Sequence, residues 1–353
     1  MTYRVIQWST GNVGRLALHA IIEHPDLELA GVWVHDPDKA GRDAGELAGL
    51  PPVGVTATND ADALLALDAD VVSHNATGDL RPHEAVAEMC ACLESGKNVV
   101  STSVVSLLYP PSGDRKMVER LEQACATGGA SCFTSGIDPG FANDLLPLTL
   151  AGFCERVDAI HVQEILNYAT YDQPEVLFET MGFGKPLDQP ALMLLPGSIT
   201  LAWGGVVAMM ADALGVQLDG IEEVRERRGA EETFTFGLGT IEAGTMEALR
   251  FEVQGIVNGR PAIVVEHVTR LRDDAAPDWP QPTGTGSYRI RIDGRPSLEC
   301  ELRIEGPDGD HNTGGLICTA MRLLNAIPAV CEAPPGLLSA VDLPLVTARH
   351  TTR

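Results

Sequence analysis

Between residues 3 and 135, short apolar runs alternate with stretches whose apolar residues recur at every third and fourth position, and this alternation constrains the fold more than any other feature of the chain. Residues 3–8, 27–34, 70–74, 98–101 and 130–135 are mostly apolar and β-branched at their centres. Residues 13–23, 61–67, 83–95 and 115–127, lying between them, carry the helical spacing. Strands apolar on both faces and joined through helices require crossover connections, and therefore a parallel sheet. The expectation for residues 1–138 is a doubly wound α/β domain.

After Pro139 the pattern changes. Residues 141–154 have helical spacing, and 156–168 form one long extended run. Asn258-Gly259 stands between strand-like residues 248–257 and 261–271, and Asp293-Gly294 between 287–292 and 297–304. Such dipeptides supply the positive φ angles of two-residue hairpin turns. Residues 197–215 are expected as a helix, and residues 273–285, rich in Pro and Asp, as a solvated loop. Residues 139–311 thus predict an α+β domain with a mainly antiparallel sheet. Residues 312–326 predict a helix that, with the tail to residue 353, returns to the first domain.

The first strand runs into Ser9-Thr10-Gly11-Asn12-Val13-Gly14 and then into a helix. This is a GxGxxG turn with serine in the first glycine position, in the strand–turn–helix setting that binds dinucleotides. Gly11 lets the backbone approach a diphosphate, Gly14 permits close packing of helix on strand, and the N–H groups opening the helix hold the phosphates. A side chain at the first position calls for a negative φ at Ser9. Asp36 closes the second strand region about 20 residues further on, where an acid takes the ribose hydroxyls of NAD. Lys39 and Arg42 follow and can hold a 2′-phosphate, so Asp36 favours NAD while NADP stays open. Asp36-Pro37-Asp38 is also good turn chemistry, and on that alternative Asp36 caps the short helix after it while Lys39 and Arg42 are solvated. Asn75-Ala76-Thr77-Gly78 and Ser101-Thr102-Ser103 follow later strands at the carboxyl edge of the sheet. There Ala76, Thr77, Ser101 and Thr102 suit a path for the second ribose and the nicotinamide.

Twenty-five Lys and Arg stand against 49 Asp and Glu, a formal net charge of −24. Polyphosphates and anionic headgroups are repelled by such a surface, so neither nucleic acid nor membrane is an expected partner. The longest apolar stretches, such as residues 204–216 with Asp212 inside, fall short of the ~18 residues of a membrane span. The eight cysteines contain no CxxC pair, and the nine histidines no HxxxH or HExxH spacing. Reduced thiols in a cytoplasmic enzyme without a metal are expected.

Gln7-Trp8-Ser9-Thr10-Gly11-Asn12-Val13-Gly14 and Gly41-Arg42-Asp43-Ala44-Gly45-Glu46-Leu47-Ala48-Gly49 resemble the amino-terminal domain of the dihydrodipicolinate reductases. Ser135-Gly136-Ile137-Asp138-Pro139-Gly140-Phe141, Met181-Gly182-Phe183-Gly184 and Asn325-Ala326-Ile327-Pro328 extend the resemblance over nearly the whole chain. They resemble the longer relatives, 2,4-diaminopentanoate dehydrogenase and the native amine dehydrogenases. The resemblance implies a Rossmann domain, an inserted α+β domain that closes over the nicotinamide, and homodimers. It also implies hydride transfer between NAD(P) and an imine, amine or carbonyl carbon of a small-molecule substrate. No segment matches the paired-His and Lys stretch with which the reductases bind and protonate a cyclic dicarboxylate, so lysine-pathway reduction is not expected. The amine dehydrogenases resemble one another in a Glu, in the loop after the fifth strand, that activates water and steadies an iminium. That loop here reads Ser103-Val104-Val105-Ser106-Leu107-Leu108-Tyr109-Pro110, with no acid before Asp114. An imine or ketone reductase, and a non-catalytic dinucleotide-sensing module, therefore stand beside amine oxidation as alternatives.

Hydride chemistry needs a dry pocket and a group that manages a proton or a developing charge. Strand alternation in 156–168 places Ile160, Val162, Glu164, Leu166 and Tyr168 on one face, and His161, Gln163, Ile165 and Asn167 on the other. On this largely apolar face desolvation is expected to raise the pKa of Glu164, unless it pairs with a buried Arg. Tyr168 or Tyr171 can give a proton to a carbonyl oxygen. Asp138 and Asn143 flank a Pro-Gly-Phe turn, where Asp138 either faces the cleft or caps a helix starting near Phe141. The catalytic candidates are Glu164, Tyr168, Tyr171 and Asp138, with His161 and His311 as further acid–base groups. Val104, Val105, Leu107, Leu108, Met181 and Phe183 suit either a hydrophobic substrate or a core.

Overall fold

The apolar runs of the first third become parallel strands in the computed structural model, which describes residues 2–78 and 80–352. Strand β1 (Tyr3–Trp8) leads to helix α1 (Asn12–Glu23), β2 (Leu27–Trp33) to the short α2 (Ala44–Ala48), and β3 (Ala57–Thr58) to α3 (Ala61–Leu65). Then follow β4 (Val71–His74), α4 (Pro82–Glu94), β5 (Asn98–Ser101), α5 (Arg115–Gly128) and β6 (Ser131–Thr134). Ile6, Trp8, Val72 and Val99 pack with Met89, Leu93 and Leu121 of α4 and α5. Val32 and Val34 pack with Leu18 of α1 and Leu47 of α2 in a second cluster. One apolar cluster sets β1, β4 and β5 against α4 and α5, and the other sets β2 and β3 against α1 and α2, the helical cover expected when strands have no polar side. Val104 and Leu107 lie in the first of these clusters, and Leu108, Met181 and Phe183 are buried too, so these side chains are core.

The chain divides into two units, one of residues up to Phe141 with those from Leu316 onward, the other Ala142–Gly315. The second unit opens with α6 (Leu145–Ala151), shorter than the expected 141–154, because residues 136–144 are used in a turn. That turn holds a cis Asp138–Pro139 peptide and an Ile137–Gly140 bridge. Strand β7 (Arg156–Asn167) and helix α7 (Ser198–Ala213) follow, then β8 (Gly220–Gly229), β9 (Phe234–Phe236) and β10 (Gly239–Ile241). The unit continues with β11 (Met246–Val257), β12 (Arg260–Arg270), β13 (Gly286–Arg295) and β14 (Leu298–Leu302). Its six-stranded sheet has the order β14-β13-β7-β12-β11-β8, in which only the central β7–β12 pair is parallel.

Asn258 and Gly259 take φ angles of +52° and +73° and close the β11–β12 hairpin as expected. Asp293-Gly294 does not form the second turn. Both residues still pair with β7, at a bulge where a β-carbon on Gly294 would stand 2.1 Å from the Arg156 carbonyl oxygen. The turn falls after them, around the cis Arg295–Pro296 peptide. The 273–285 loop is not wholly solvated either, since Ala275, Ala276 and Trp279 are buried against Ile165, Ala248 and Val268. The last helix, α8 (His311–Glu332), outruns the expected 312–326 and continues through Pro328. Among the described helices it is the one long and apolar enough by composition to cross a membrane, and its Leu323, Ala326, Ile327 and Val330 are buried. Strand β15 (Gly336–Leu338) then joins β6, completing the parallel sheet in the order β15-β6-β5-β4-β1-β2-β3.

The strand order reverses between β1 and β4, so the crevice for a ligand lies at the carboxyl ends of those two strands. A buried polar network fixes that edge. Glu88 of α4 accepts hydrogen bonds from Trp8 Nε1 (3.2 Å), His74 Nε2 (3.1 Å) and Arg81 Nη1 (2.8 Å). His74 Nδ1 meets Ser103 Oγ at 2.6 Å, and that hydroxyl donates to the Ala76 carbonyl. Burial pushes the Glu88 pKa up, but His74 and Arg81 outweigh it and hold it down at about 2. A depressed carboxyl stabilises the fold above its unfolded-state value near 4.5, and that contribution is lost as pH falls through about 2. Glu88→Gln is expected to lower stability at neutral pH by about 1–3 kcal/mol. The variant should also lose less stability than the parent protein between those two pH values, as measured by urea unfolding at stepped pH.

Candidate active site

Ser9 leaves β1 with φ +78°, not the negative angle expected of a side chain at that place. Two bonds impose it: the Ser9 N–H donates to the Trp33 carbonyl (2.9 Å), and Gln7 Nε2 donates to the Ser9 carbonyl (2.8 Å). A left-handed serine costs about 1–2 kcal/mol, which these bonds offset. A β-carbon on Gly14 would lie 2.3 Å from the Ser9 carbonyl oxygen, so only glycine lets α1 start this close to β1. A β-carbon on Gly11 would meet nothing within 4 Å. Gly11 caps α1 without a side-chain bond, and the first turn, with Asn12 and Val13, contains no acid. The positive end of the helix dipole thus faces a space that glycine keeps open, which fits a diphosphate.

Lys39 brings its ammonium to this turn, 3.2 Å from the Thr10 carbonyl oxygen and 3.4 Å from Thr10 Oγ1. Asp36 Oδ1 accepts from the Asp38 N–H (2.9 Å), Asp43 rather than Asp36 caps the short α2, and the Asp36 and Arg42 side chains remain exposed. Asn75 ties the three loop segments together. Its Oδ1 accepts from Gln7 Nε2 (2.9 Å) and Ser73 Oγ (3.0 Å), and its Nδ2 donates to Thr102 Oγ1 (3.2 Å). Ser101 Oγ accepts from the Ser103 N–H, Ala76 is buried and Thr77 is exposed.

In the second unit, β7 carries Glu164 between His267 of β12 and Tyr288 of β13, its register partners on either side. Glu164 is 3% exposed. Its Oε1 accepts from Tyr168 OH at 2.7 Å and lies 3.3 Å from His267 Nδ1. The His267 ring stacks on Phe251 (centroids 4.6 Å apart) and meets the edge of Trp203 (4.5 Å). Tyr171 packs on Tyr168 (4.9 Å) and accepts from Gln173 Nε2 (2.7 Å).

The expected rise in the Glu164 pKa does not occur. Burial does push it up, but His267, Tyr168 and His311 outweigh burial and hold the carboxyl below its ordinary range. The group beside the carboxylate is a histidine, not the arginine of the alternative reading. Burial, followed by the Glu164 charge, pushes Tyr168 well above an ordinary phenol and Tyr171 up to about 12. The cluster therefore offers an ionised carboxylate and two phenols that stay protonated.

His161, on the opposite face, pairs with Glu266 (2.7 Å), which also accepts from Gln163 and Arg250. Asp138 belongs to the first unit and caps no helix, because Asp144 caps α6. Asn143 is buried in the second unit. His267 and Tyr288 escape a reading of the sequence, since strand pairing with β7 is what brings them to Glu164.

Gly14→Ala is expected to destabilise the protein by about 1–3 kcal/mol through overpacking against Ser9. Gly11→Ala should leave the thermal midpoint unchanged while weakening dinucleotide binding, as read by calorimetry on both variants.

The family profile described as dihydrodipicolinate reductase, N-terminus, matches residues 5–104. That described as 2,4-diaminopentanoate dehydrogenase C-terminal domain matches residues 141–352. An amine dehydrogenase of Streptomyces virginiae is 45% identical over 344 residues, covering 96% of each chain. A 2,4-diaminopentanoate dehydrogenase of Acetoanaerobium sticklandii is 25% identical and covers 81% of this chain and 79% of its own. The solved structure of an amine dehydrogenase from Mycobacterium smegmatis has a TM-score of 0.79 over 98% of this chain and 97% of that one; at 19% identity it establishes the fold alone. With a reductase-type amino-terminal domain ahead of the domain that defines the group, the chain belongs to the family of 2,4-diaminopentanoate and amine dehydrogenases.

Proposed function

We propose that this oxidoreductase interconverts a small, fairly apolar primary amine with the corresponding carbonyl compound and ammonia, using NAD or NADP. The observation that carries the reading is Glu164, a carboxylate out of water that stays ionised among a phenol and imidazoles. Such a group holds a substrate ammonium and steadies the iminium that follows it, because both bring a positive charge into a low-dielectric site. The loop after β5 cannot supply this charge. Val104, Leu107 and Leu108 are buried, and Ser103 is bound to His74 and Ala76.

When bound, the dinucleotide supplies or accepts the hydride. The amides of Ser9, Thr10, Gly11, Asn12, Val13 and Gly14 suit its diphosphate, and Asp36 the ribose hydroxyls of NAD. Lys39 with Arg42 suits a 2′-phosphate, and Ala76, Thr77, Ser101 and Thr102 the nicotinamide end. Tyr168 orients Glu164 through its hydroxyl, Tyr171 packs against Tyr168, and Asp138 is assigned as an additional carboxylate of the first unit. A homodimer in the cytoplasm completes the reading, and eight cysteines that are all free thiols suit a reducing compartment.

The test is oxidation of reduced dinucleotide with short ketones, with and without ammonium. Turnover that requires ammonium supports amine chemistry, while equal turnover without it identifies a ketone reductase. Tight dinucleotide binding with no turnover identifies a sensing module. Glu164→Gln is expected to lower kcat about 10²–10³-fold with dinucleotide affinity unchanged, and unchanged turnover would remove Glu164 from the mechanism. Asp36→Ala should weaken NAD binding more than NADP binding in fluorescence titrations; equal loss refutes the ribose assignment.

A further inference from the structure

His311, the first residue of α8, is 3% exposed, and neither of its ring nitrogens has a hydrogen-bond partner. The Ile304 carbonyl acts on the ring from one side. A buried polar group left unpaired costs about 1–3 kcal/mol, so its place in a native site calls for an explanation.

The ring is held from several sides. Asp310 accepts from Thr170 Oγ1 (2.5 Å) and the Thr313 N–H (2.7 Å). Asn312 Nδ2 donates to the Asn167 carbonyl (2.9 Å) and Thr170 Oγ1 (2.7 Å). These bonds fasten the start of α8 to the end of β7, the strand that carries Glu164. A β-carbon on Gly286 would stand 2.8 Å from His311 Cγ, so the strand leaves room for the imidazole by having no side chain there. The ring centroid lies 5.7 Å from that of Tyr288.

We propose that His311 takes the proton that a substrate ammonium must lose before its carbon can be oxidised, while Glu164 keeps hold of the nitrogen; this rests on the amine reading of the site. In that step a substrate N–H bond breaks and an N–H bond forms on the imidazole. One positive charge passes from the substrate nitrogen to the ring, and no electrons are gained or lost by either partner. Reductive amination runs the same transfer backwards.

The electrostatics divide the two groups accordingly. Burial pushes the His311 pKa below the ordinary imidazole value, against the upward pull of Glu164, Asp310, the Ile304 carbonyl and Glu305. One group is thereby kept neutral and the other anionic, the separation an acid–base pair needs. Amine oxidation therefore falls as pH drops through the lowered His311 pKa, because a protonated ring accepts nothing.

The test compares His311→Gln with the parent enzyme, using 2-aminobutane and oxidised dinucleotide over a pH series. Loss of about 10²–10⁴-fold in kcat is expected. The acid limb of the profile should vanish, and calorimetric dinucleotide affinity should stay unchanged. A variant with parental kcat and pH profile overturns the proposal. A second readout uses the parent enzyme alone: the imidazole nitrogen resonances of His311, assigned through its own backbone, should shift when 2-aminobutane joins the dinucleotide complex. Unmoved resonances overturn the proposal whether or not turnover occurs. Moved resonances without turnover of any amine leave the histidine contact standing and refute the proposed activity instead.

Discussion

Keeping Glu164 ionised away from water is the demand on which the layout of the second unit rests. A lone carboxylate in that position would take up a proton rather than bear the desolvation penalty. The fold answers with groups from a strand, a turn and the head of a helix: His267 from β12, Tyr168 just beyond β7, and His311 opening α8. Because β7 is central, with a parallel neighbour on one side and an antiparallel one on the other, its face receives side chains from both. An edge strand would have had neighbours on one side only.

The first unit solves a different problem. Its ligand edge must keep the backbone amides of the glycine turn available, so the loops around it are fixed from below. Gln7 and Asn75 join the ends of β1, β4 and β5 in one hydrogen-bonded chain, and Glu88 braces the same edge through Trp8 and His74. Ser103 is drawn into that bracing. The Ser103 side chain, in the loop past β5, therefore serves the scaffold.

What could be read from the sequence follows the range over which each feature is determined. The alternation of strand and helix, the Ser9–Gly14 turn and the Asn258-Gly259 hairpin are set by neighbouring residues, and all three were legible. So was the face that Glu164 shares with Tyr168. Its partner was not, because His267 sits about 100 residues away and reaches β7 only through a parallel pairing that no local pattern encodes. Similar remoteness explains Asp293-Gly294: the pair has good turn chemistry, but continued pairing with β7 claims both residues for a bulge. The 273–285 loop looked polar by composition, yet Trp279, Ala275 and Ala276 outweigh the aspartates once Ile165 and Val268 offer them a surface.

Ser9 has the backbone of a glycine and the side chain of an alcohol. Since its main chain already adopts the left-handed shape that the glycine pattern demands, the departure from that pattern changes the chemistry at the mouth of the turn without changing its geometry. The serine contributes one hydroxyl at the entrance to the anion-binding loop, and evolution can add or delete that hydroxyl by exchanging a single residue while the path of the chain stays the same.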